Sequence, residues 1–336
     1  MLPLRLLPGT TQDDVRSRTE AIRTFYRCAR VEVLPDRFRG DRVTVRLFRL
    51  PVPPSVPYPF ESLLSDQVVP LRATRPLPLG LNNSQEPVSI TLFDPNSGGT
   101  SLLIGGVPGS GKTTALRVLM SGLAATTACI LSIDPTGGAE GALWGNRIDR
   151  LVPTAEHAPT MELLQLVLSL IERRGRILGA GGTTVLFQPV CLVCDELAEI
   201  SAAGSPKQQE EARAALRRIV ALSRKCSVSV VMATQRTTST NIDVTTRSLA
   251  AWRLALAHPD DVHGSEALLG LGRREASLLS KFDTGVGYLT NGGAPEMVTV
   301  YDLPASLVGN LSRAFAPVSL DEVMAWDEAS LHELTA

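Results

Sequence analysis

Eight consecutive residues, Gly106-Val107-Pro108-Gly109-Ser110-Gly111-Lys112-Thr113, carry the strongest chemical signal in this 336-residue chain. They fit the pattern G-x-x-x-x-G-K-[ST] in full. Glycines let successive backbone N–H groups turn inward around a phosphate, where a Cβ would obstruct them. A helix starting near Lys112 adds the positive end of its dipole. Lys112 supplies a point charge for the β- and γ-phosphates of a nucleotide, and the Thr113 hydroxyl is a ligand for Mg²⁺. With Thr114 included, residues 106–114 are the expected nucleotide contacts.

A second signal is Val190-Cys191-Leu192-Val193-Cys194-Asp195-Glu196. An apolar strand ending in two carboxylates delivers them to the C-terminal edge of a sheet, where open α/β folds bind ligands. Asp195 is placed to hold Mg²⁺, and Glu196 to orient and deprotonate an attacking water. A third signal, Thr234-Gln235-Arg236, follows the apolar run 228–233. Gln235 at that strand tip is a candidate sensor of the γ-phosphate, against the plainer reading of a polar loop start.

These residues need a scaffold. Short apolar strands (101–104, 129–133, 190–194, 228–233) alternate with helical patterns (113–125, 161–178, 207–225). That alternation predicts a mostly parallel sheet covered on both faces. Cys191 and Cys194 form a C-x-x-C, but within a strand residues three apart face opposite sides, which argues against a metal site. The helix 207–225 carries Lys207, Arg213, Arg217, Arg218, Arg224 and Lys225, and a polar loop at 237–248 follows with Arg247. Both could line a DNA channel or be solvated surface.

Upstream, Thr11 and Asp14 suggest a capping box for a helix at 13–29, with Val15, Ile22, Phe25 and Ala29 on one face. Val43, Val45 and Leu47 alternate as in a half-buried strand. Arg16, Arg18, Arg23, Arg27 and Arg30 make either a DNA- or lipid-facing surface or a solvated helix face. Residues 51–78 are proline-dense and read as an extended linker. The expected organisation is an Arg-rich α+β module (1–50), the linker (51–78), a motor domain (79–302) and a short tail of one or two helices (303–336).

The bulk numbers fit a globular chain: 44% hydrophobic, 20% charged, net charge -1. Any nucleic-acid contact must come from a local patch. The sequence has no apolar run near the ~20 residues of a membrane helix and no signal-peptide core. The expected location is the cytoplasm, with the membrane reached only through partners.

Taken together, the motifs resemble those of the FtsK/SpoIIIE family of DNA translocases. Ile133-Asp134-Pro135 is similar to that family's Ile-Asp-Pro, and Ile171-Glu172-Arg173-Arg174 to its Glu-Arg-Arg helix. Ala233-Thr234-Gln235-Arg236, Arg253-Leu254-Ala255-Leu256, the turn from Gly264 to Gly270, and Thr284-Gly285-Val286-Gly287-Tyr288 match further motifs in order. The resemblance covers about residues 79–302 and implies a RecA-like P-loop NTPase core that uses ATP and Mg²⁺. It also implies a homo-hexameric ring around double-stranded DNA, with an arginine, Arg253 or Arg247, completing the neighbouring site. The stretch 134–138 and the Arg-rich N-terminus look more like the conjugative-transfer branch, which implies membrane-anchored transfer proteins as partners. Two other readings stay open: a type VII-like protein-secretion ATPase, and a nucleotide-dependent DNA-binding or assembly protein that moves nothing.

Overall fold

The computed structural model describes residues 2–26, 30–36, 39–48, 56–58, 75–184, 187–235, 244–258, 261–280, 283–315 and 317–335. It divides into two compact units, Met1–Pro54 and Ser55–Ala336.

The first unit holds β1 (Leu2–Arg5), α1 (Gln12–Ser17), α2 (Thr19–Tyr26), β2 (Arg30–Pro35) and β3 (Arg42–Phe48). The strands form an antiparallel sheet in the order β1-β3-β2. Val31, Val33, Val43 and Val45 are buried on one face, and Val15 and Ile22 pack against them. The capping box forms: Asp14 N–H donates to Thr11 Oγ1, and Thr11 N–H to Asp14 Oδ2. The single helix expected at 13–29 is instead two. Arg18 leaves helical geometry and its N–H tightens onto Val15 O. The break re-aims the second segment, so Ile22 reaches the valine layer while Phe25 is 80% exposed, edge-on to Tyr26. Arg27, Cys28 and Ala29 lie outside the described residues.

The second unit is built on one large sheet. Its strands are β4 (Val56–Pro57), β5 (Leu77–Asn82), β6 (Pro87–Ile90), β9 (Leu102–Gly105), β10 (Cys129–Ile133) and β11 (Arg150–Val152). They continue with β12 (Val190–Cys194), β13 (Val228–Thr234), β14 (Trp252–Leu256), β15 (Val286–Thr290) and β16 (Glu296–Asp302). A small separate hairpin, β7 (Phe93–Asp94) with β8 (Gly98–Gly99), precedes β9. The helices are α3 (Lys112–Ala124), α4 (Ala139–Ala142), α5 (His157–Gly179), α6 (Leu197–Ala202), α7 (Pro206–Leu222), α8 (Val244–Leu249), α9 (Val262–Leu269), α10 (Ala305–Ala314) and α11 (Leu320–Thr335). The order is β11-β10-β12-β13-β9-β14-β15-β16-β5-β6. From β11 to β14 all pairs are parallel; from β14 to β6 all are antiparallel.

The fold is thus mixed α/β with a parallel centre, and β9, which leads into residues 106–113, lies inside it. The helix α3 is wedged on the sheet by Ala115, Leu116, Val118, Leu119 and Leu123, in one core with Leu254 and Leu256 of β14.

Two pieces of the proline-dense stretch belong to the sheet rather than to a linker. β4 pairs with the end of β16; Pro57 has no N–H to give, and Tyr58 N–H bonds Asp302 O instead. Pro78 sits in β5 where the register with β6 shifts, the place where a sheet tolerates proline. The C-terminal stretch is likewise integral: Leu320 and Val323 of α11 are buried, and Arg174 of α5 pairs with Asp327 at 2.7 Å, both out of water.

Candidate active site

The loop after β9 has the strain its glycines were expected to relieve. Gly109 and Gly111 take φ of 78° and 101°, which other residues rarely adopt. A Cβ at Gly106 would collide with the Ser110 side chain, and one at Gly111 would lie 2.7 Å from Gly285 N. Gly111 caps α3, so the helix opens at Lys112 with no side chain capping its first N–H groups. Those groups are left for an anion. Lys112 is 8% exposed, and burial holds its ammonium below the usual lysine range despite Glu196 and Asp195 nearby.

The structure brings the acidic pair beside this loop. Asp195 and Glu196 leave the C-terminal end of β12. Burial, reinforced by the Asp134 carboxylate, pushes Asp195 up to about 6. Asp134 follows β10 as Asp195 follows β12, and Asp195 N–H donates to Ile133 O between them. Asp134 itself is buried and accepts from the Thr136 hydroxyl, the Thr136 N–H and Gly141 N–H. A cavity of about 30 Å³ has Thr113, Ser132, Asp134 and Asp195 in its wall. That is room for one water.

Glu196 is buried and its backbone is left-handed, φ 56°, unusual for a residue with a Cβ. Its carboxylate is occupied. Thr234 Oγ1 donates to Oε1 at 3.1 Å, and Gln235 N–H reaches both oxygens at 3.1 Å. Gln235 therefore meets the acidic strand through its main chain, and the residue is exposed. Thr234 O also accepts from Gly106 N–H, which puts the β13 tip between the glycine loop and the acids.

Arg253 lies elsewhere. It pairs with Leu103, two positions before Gly105, and alternates with the core residues Leu254 and Leu256. With Arg247 and Glu266 it borders an open depression of about 380 Å³ in which none of residues 106–113 takes part. Its Nε is buried without a hydrogen-bond partner, and burial plus Arg247 lower its pKa. Arg236 and residues 237–243 of the expected DNA loop lie outside the described residues.

The basic helix reads differently in three dimensions. It ends at Leu222, and a 3-10 turn covers Arg224–Cys226. Arg217 meets Glu210 at 3.1 Å and Arg218 meets Glu172 at 2.8 Å, with Lys207 near Glu211 and Arg213 near Glu210. These pairs are largely solvent-exposed and weak, so the structure leaves both readings of α7 open, channel lining and solvated surface. Cys191 and Cys194 are both buried in β12, and burial raises both thiols, Cys194 to about 12.

One contact had no local sequence signal. Thr284 Oγ1 donates to Gly109 O at 3.1 Å, and Gly285 N–H to Ser110 O at 2.8 Å. The turn before β15 thereby grips the apex of the glycine loop.

Residues 96–240 match the family model described as an AAA domain. That span runs from just before β9 through the loop, the acids and Gln235. The chain carries an AAA-type P-loop ATPase domain. A sporulation regulatory protein of Streptomyces azureus is 29% identical over 138 residues, 38% of this chain and 45% of that protein. The chain thus spans less than half of that curated relative.

Among solved structures, the chain is similar to the pCW3 conjugation coupling protein TcpA, in its monomer form with ATPγS. The TM-score is 0.68 at 16% identity, over 90% of this chain and 86% of that one. The cytoplasmic domain of the Thermomonospora curvata type VII secretion ATPase EccC gives 0.62 at 18% identity, over 80% and 36%. EssC (ATPases 2 and 3) of Geobacillus thermodenitrificans gives 0.61 at 13%, over 84% and 53%. At these identities the likeness establishes the fold alone. Among the described residues no helix is long and apolar enough to cross a membrane.

Proposed function

We propose that this chain is an ATP-driven double-stranded DNA translocase that works as a homo-hexameric ring in conjugative transfer. The observation that carries the reading is the extent of its likeness to the coupling protein TcpA, which spans nearly the whole of both chains. The residues at the P-loop supply what ATP hydrolysis requires. Residues 106–114 cradle the phosphates, with Lys112 neutralising the β- and γ-oxygens.

The oxygen donors Thr113 and Asp195 fit Mg²⁺. A half-buried carboxylate held at about 6 beside a second carboxylate is a site that a divalent cation would relieve. Bound there, Mg²⁺ supplies charge neutralisation of the phosphates. Glu196 takes a proton from the attacking water as its oxygen bonds to the γ-phosphorus and the bond from that phosphorus to the β–γ bridging oxygen breaks, releasing ADP and phosphate. The Glu196 oxygens are oriented by Thr234 and Gln235, and a remaining acceptor position must meet the water. Gln235 reports the γ-phosphate to β13. Arg253, or Arg247 beside it, serves the neighbouring subunit's site from the open depression they share. The ring would work in the cytoplasm, docked to membrane-anchored transfer proteins.

The test is ATP turnover by the purified chain with and without duplex DNA, from low to moderate salt. DNA-stimulated turnover is expected; turnover indifferent to DNA at every salt concentration overturns the track. A protein-secretion ATPase is the second reading, favoured by the likeness to EccC. Stimulation by a secretion-substrate peptide in place of DNA would establish it.

A further inference from the structure

The N-terminal unit carries a charge that the rest of the chain conceals. Residues 1–54 hold eleven arginines against six carboxylates, a net of +5, while the remaining residues sum to -6. On the helical side these charges are largely paired. Arg16 meets Asp13 at 3.4 Å, and Arg23 meets Glu20 at 2.6 Å.

The sheet is different. Its valines at 31, 33, 43 and 45 face the helices, so by strand alternation positions 5, 30, 42 and 46 fall on the other face. All four positions are arginine, and the acidic position of that parity in β2 is Glu32, in register with Arg46. Arg5 and Arg42 stand directly opposite each other across β1 and β3. Like charges so placed destabilise a sheet. Asp41 relieves one of them, meeting Arg5 at 3.1 Å, yet the Arg5 side chain remains 79% exposed, and Arg42 is exposed. No described element of the unit covers this face.

We propose that the arginine face of the N-terminal sheet binds the phosphodiester backbone of duplex DNA, as a contact separate from the ATPase domain. The inference rests on the DNA reading above. Arginine at successive same-face positions of a sheet, with Arg5 and Arg42 exposed, suits paired contacts to phosphate oxygens without reading bases. It assigns a partner to a unit whose role the nucleotide site does not explain.

The test uses the full chain and its Arg42→Glu/Arg46→Glu variant, both at exposed-face positions and both remote from the P-loop. Binding of a 30-base-pair fluorescent duplex is followed by anisotropy over a salt series without nucleotide. The variant is expected to bind at least about tenfold more weakly, with the log–log salt slope reduced by about 2, one per lost phosphate contact. Basal ATP turnover should be unchanged, which reports that the chain is folded. Equal affinity and equal slope for the two proteins overturn the arginine face while leaving the DNA motor standing. No DNA binding by the unaltered chain removes both. Vesicles containing about one-third phosphatidylglycerol provide the other arm. If the reversal abolishes vesicle binding and spares DNA binding, the face is a membrane contact and the proposal is wrong.

Discussion

Two ion pairs on the C-terminal helix α11 separate the effect of burial from the effect of distance. Arg174 meets Asp327 at 2.7 Å, with side-chain exposures of 0% and 1%. Arg150 meets Asp321 at the same 2.7 Å, but 44% and 76% exposed. Deleting one partner of a buried pair strands an uncompensated charge and costs about 3–5 kcal/mol. Deleting one partner of an exposed pair costs about 0–1 kcal/mol. Arg174 would keep its bonds to Cys226 O and Gln188 O and its place over the Phe187 ring, which holds the expected loss near the lower bound. At roughly 2 °C per kcal/mol for a unit of this size, Asp327→Ala lowers the melting temperature by roughly 6 °C or more, and Asp321→Ala by under about 2 °C. Differential scanning calorimetry of the nucleotide-free chain measures both. Burial raises the Asp327 carboxyl more than Arg174 lowers it, so desolvation dominates this pair. Arg174→Met/Asp327→Leu removes both charges together, but it also takes the Arg174 donors from Cys226 O and Gln188 O, so only part of the loss should be recovered. Equal shifts for Asp327→Ala and Asp321→Ala would refute the reasoning.

Three further outcomes are expected. Lys112→Ala loses tight nucleotide binding, whereas Glu196→Gln keeps it and stalls turnover, as fluorescent-nucleotide binding and phosphate release would show; normal turnover by Glu196→Gln removes it as the base. Asp195 sits at about 6, above its ordinary 3.8. Its neutral form is thus favoured by folding: the nucleotide-free fold gains stability as pH falls from about 6 towards 4 and loses it as pH rises through 6. Mg²⁺ competes with that proton, so calorimetric Mg²⁺ affinity in the presence of nucleotide should fall about tenfold per pH unit below 6, and Asp195→Asn should flatten the profile. Thr284→Val removes the hydroxyl bond to Gly109 O and should weaken nucleotide binding by roughly fivefold to tenfold, about one ordinary hydrogen bond, with Thr284→Ser restoring it; an unchanged dissociation constant would show that the grip on the loop is idle.

The parallel half of the sheet was legible because its signals are local. The strands at 129–133 and 190–194 are closed apolar runs, and the glycine loop declares its own backbone. The antiparallel half was not read as such, because β5 starts in a proline-dense stretch whose pairing depends on partners more than 200 residues away, such as Thr299 and Val300. Range hid the same kind of information at the site. Arg174 stood out only as part of a Glu-Arg-Arg resemblance; its carboxylate is 153 residues later. Arg147 gave no signal, yet it is buried and donates to the carbonyls of Ala124, Thr126 and Ala128, closing the C-terminal end of α3. That satisfies orphan carbonyls which no sequence pattern assigned. Thr284 and Gly285 were quoted for resemblance alone, and their hold on Gly109 and Ser110 follows only from β15 folding back beside β14.

The acidic strand shows where residue type and geometry part company. Glu196 is the proposed base, and its carboxylate is already oriented by two donors, Thr234 Oγ1 and Gln235 N–H. Hydrogen bonds to a charged group are worth about 1.5–3 kcal/mol each, so this arrangement will not open unless something on the other side offers a comparable contact. The left-handed backbone at Glu196 works in the opposite direction, since it stores strain in the arrangement that is held. Gly106 N–H bonds Thr234 O, so the residue that restrains the base is also tied to the first glycine of the phosphate loop. On the proposed function, a shift of that glycine on filling with nucleotide would pass to Thr234 through one bond and to Glu196 through the next. The sensing role proposed for the Gln235 side chain would then be shared with its main chain and with Thr234, since the β13 tip joins the glycine loop to the Glu196 carboxylate.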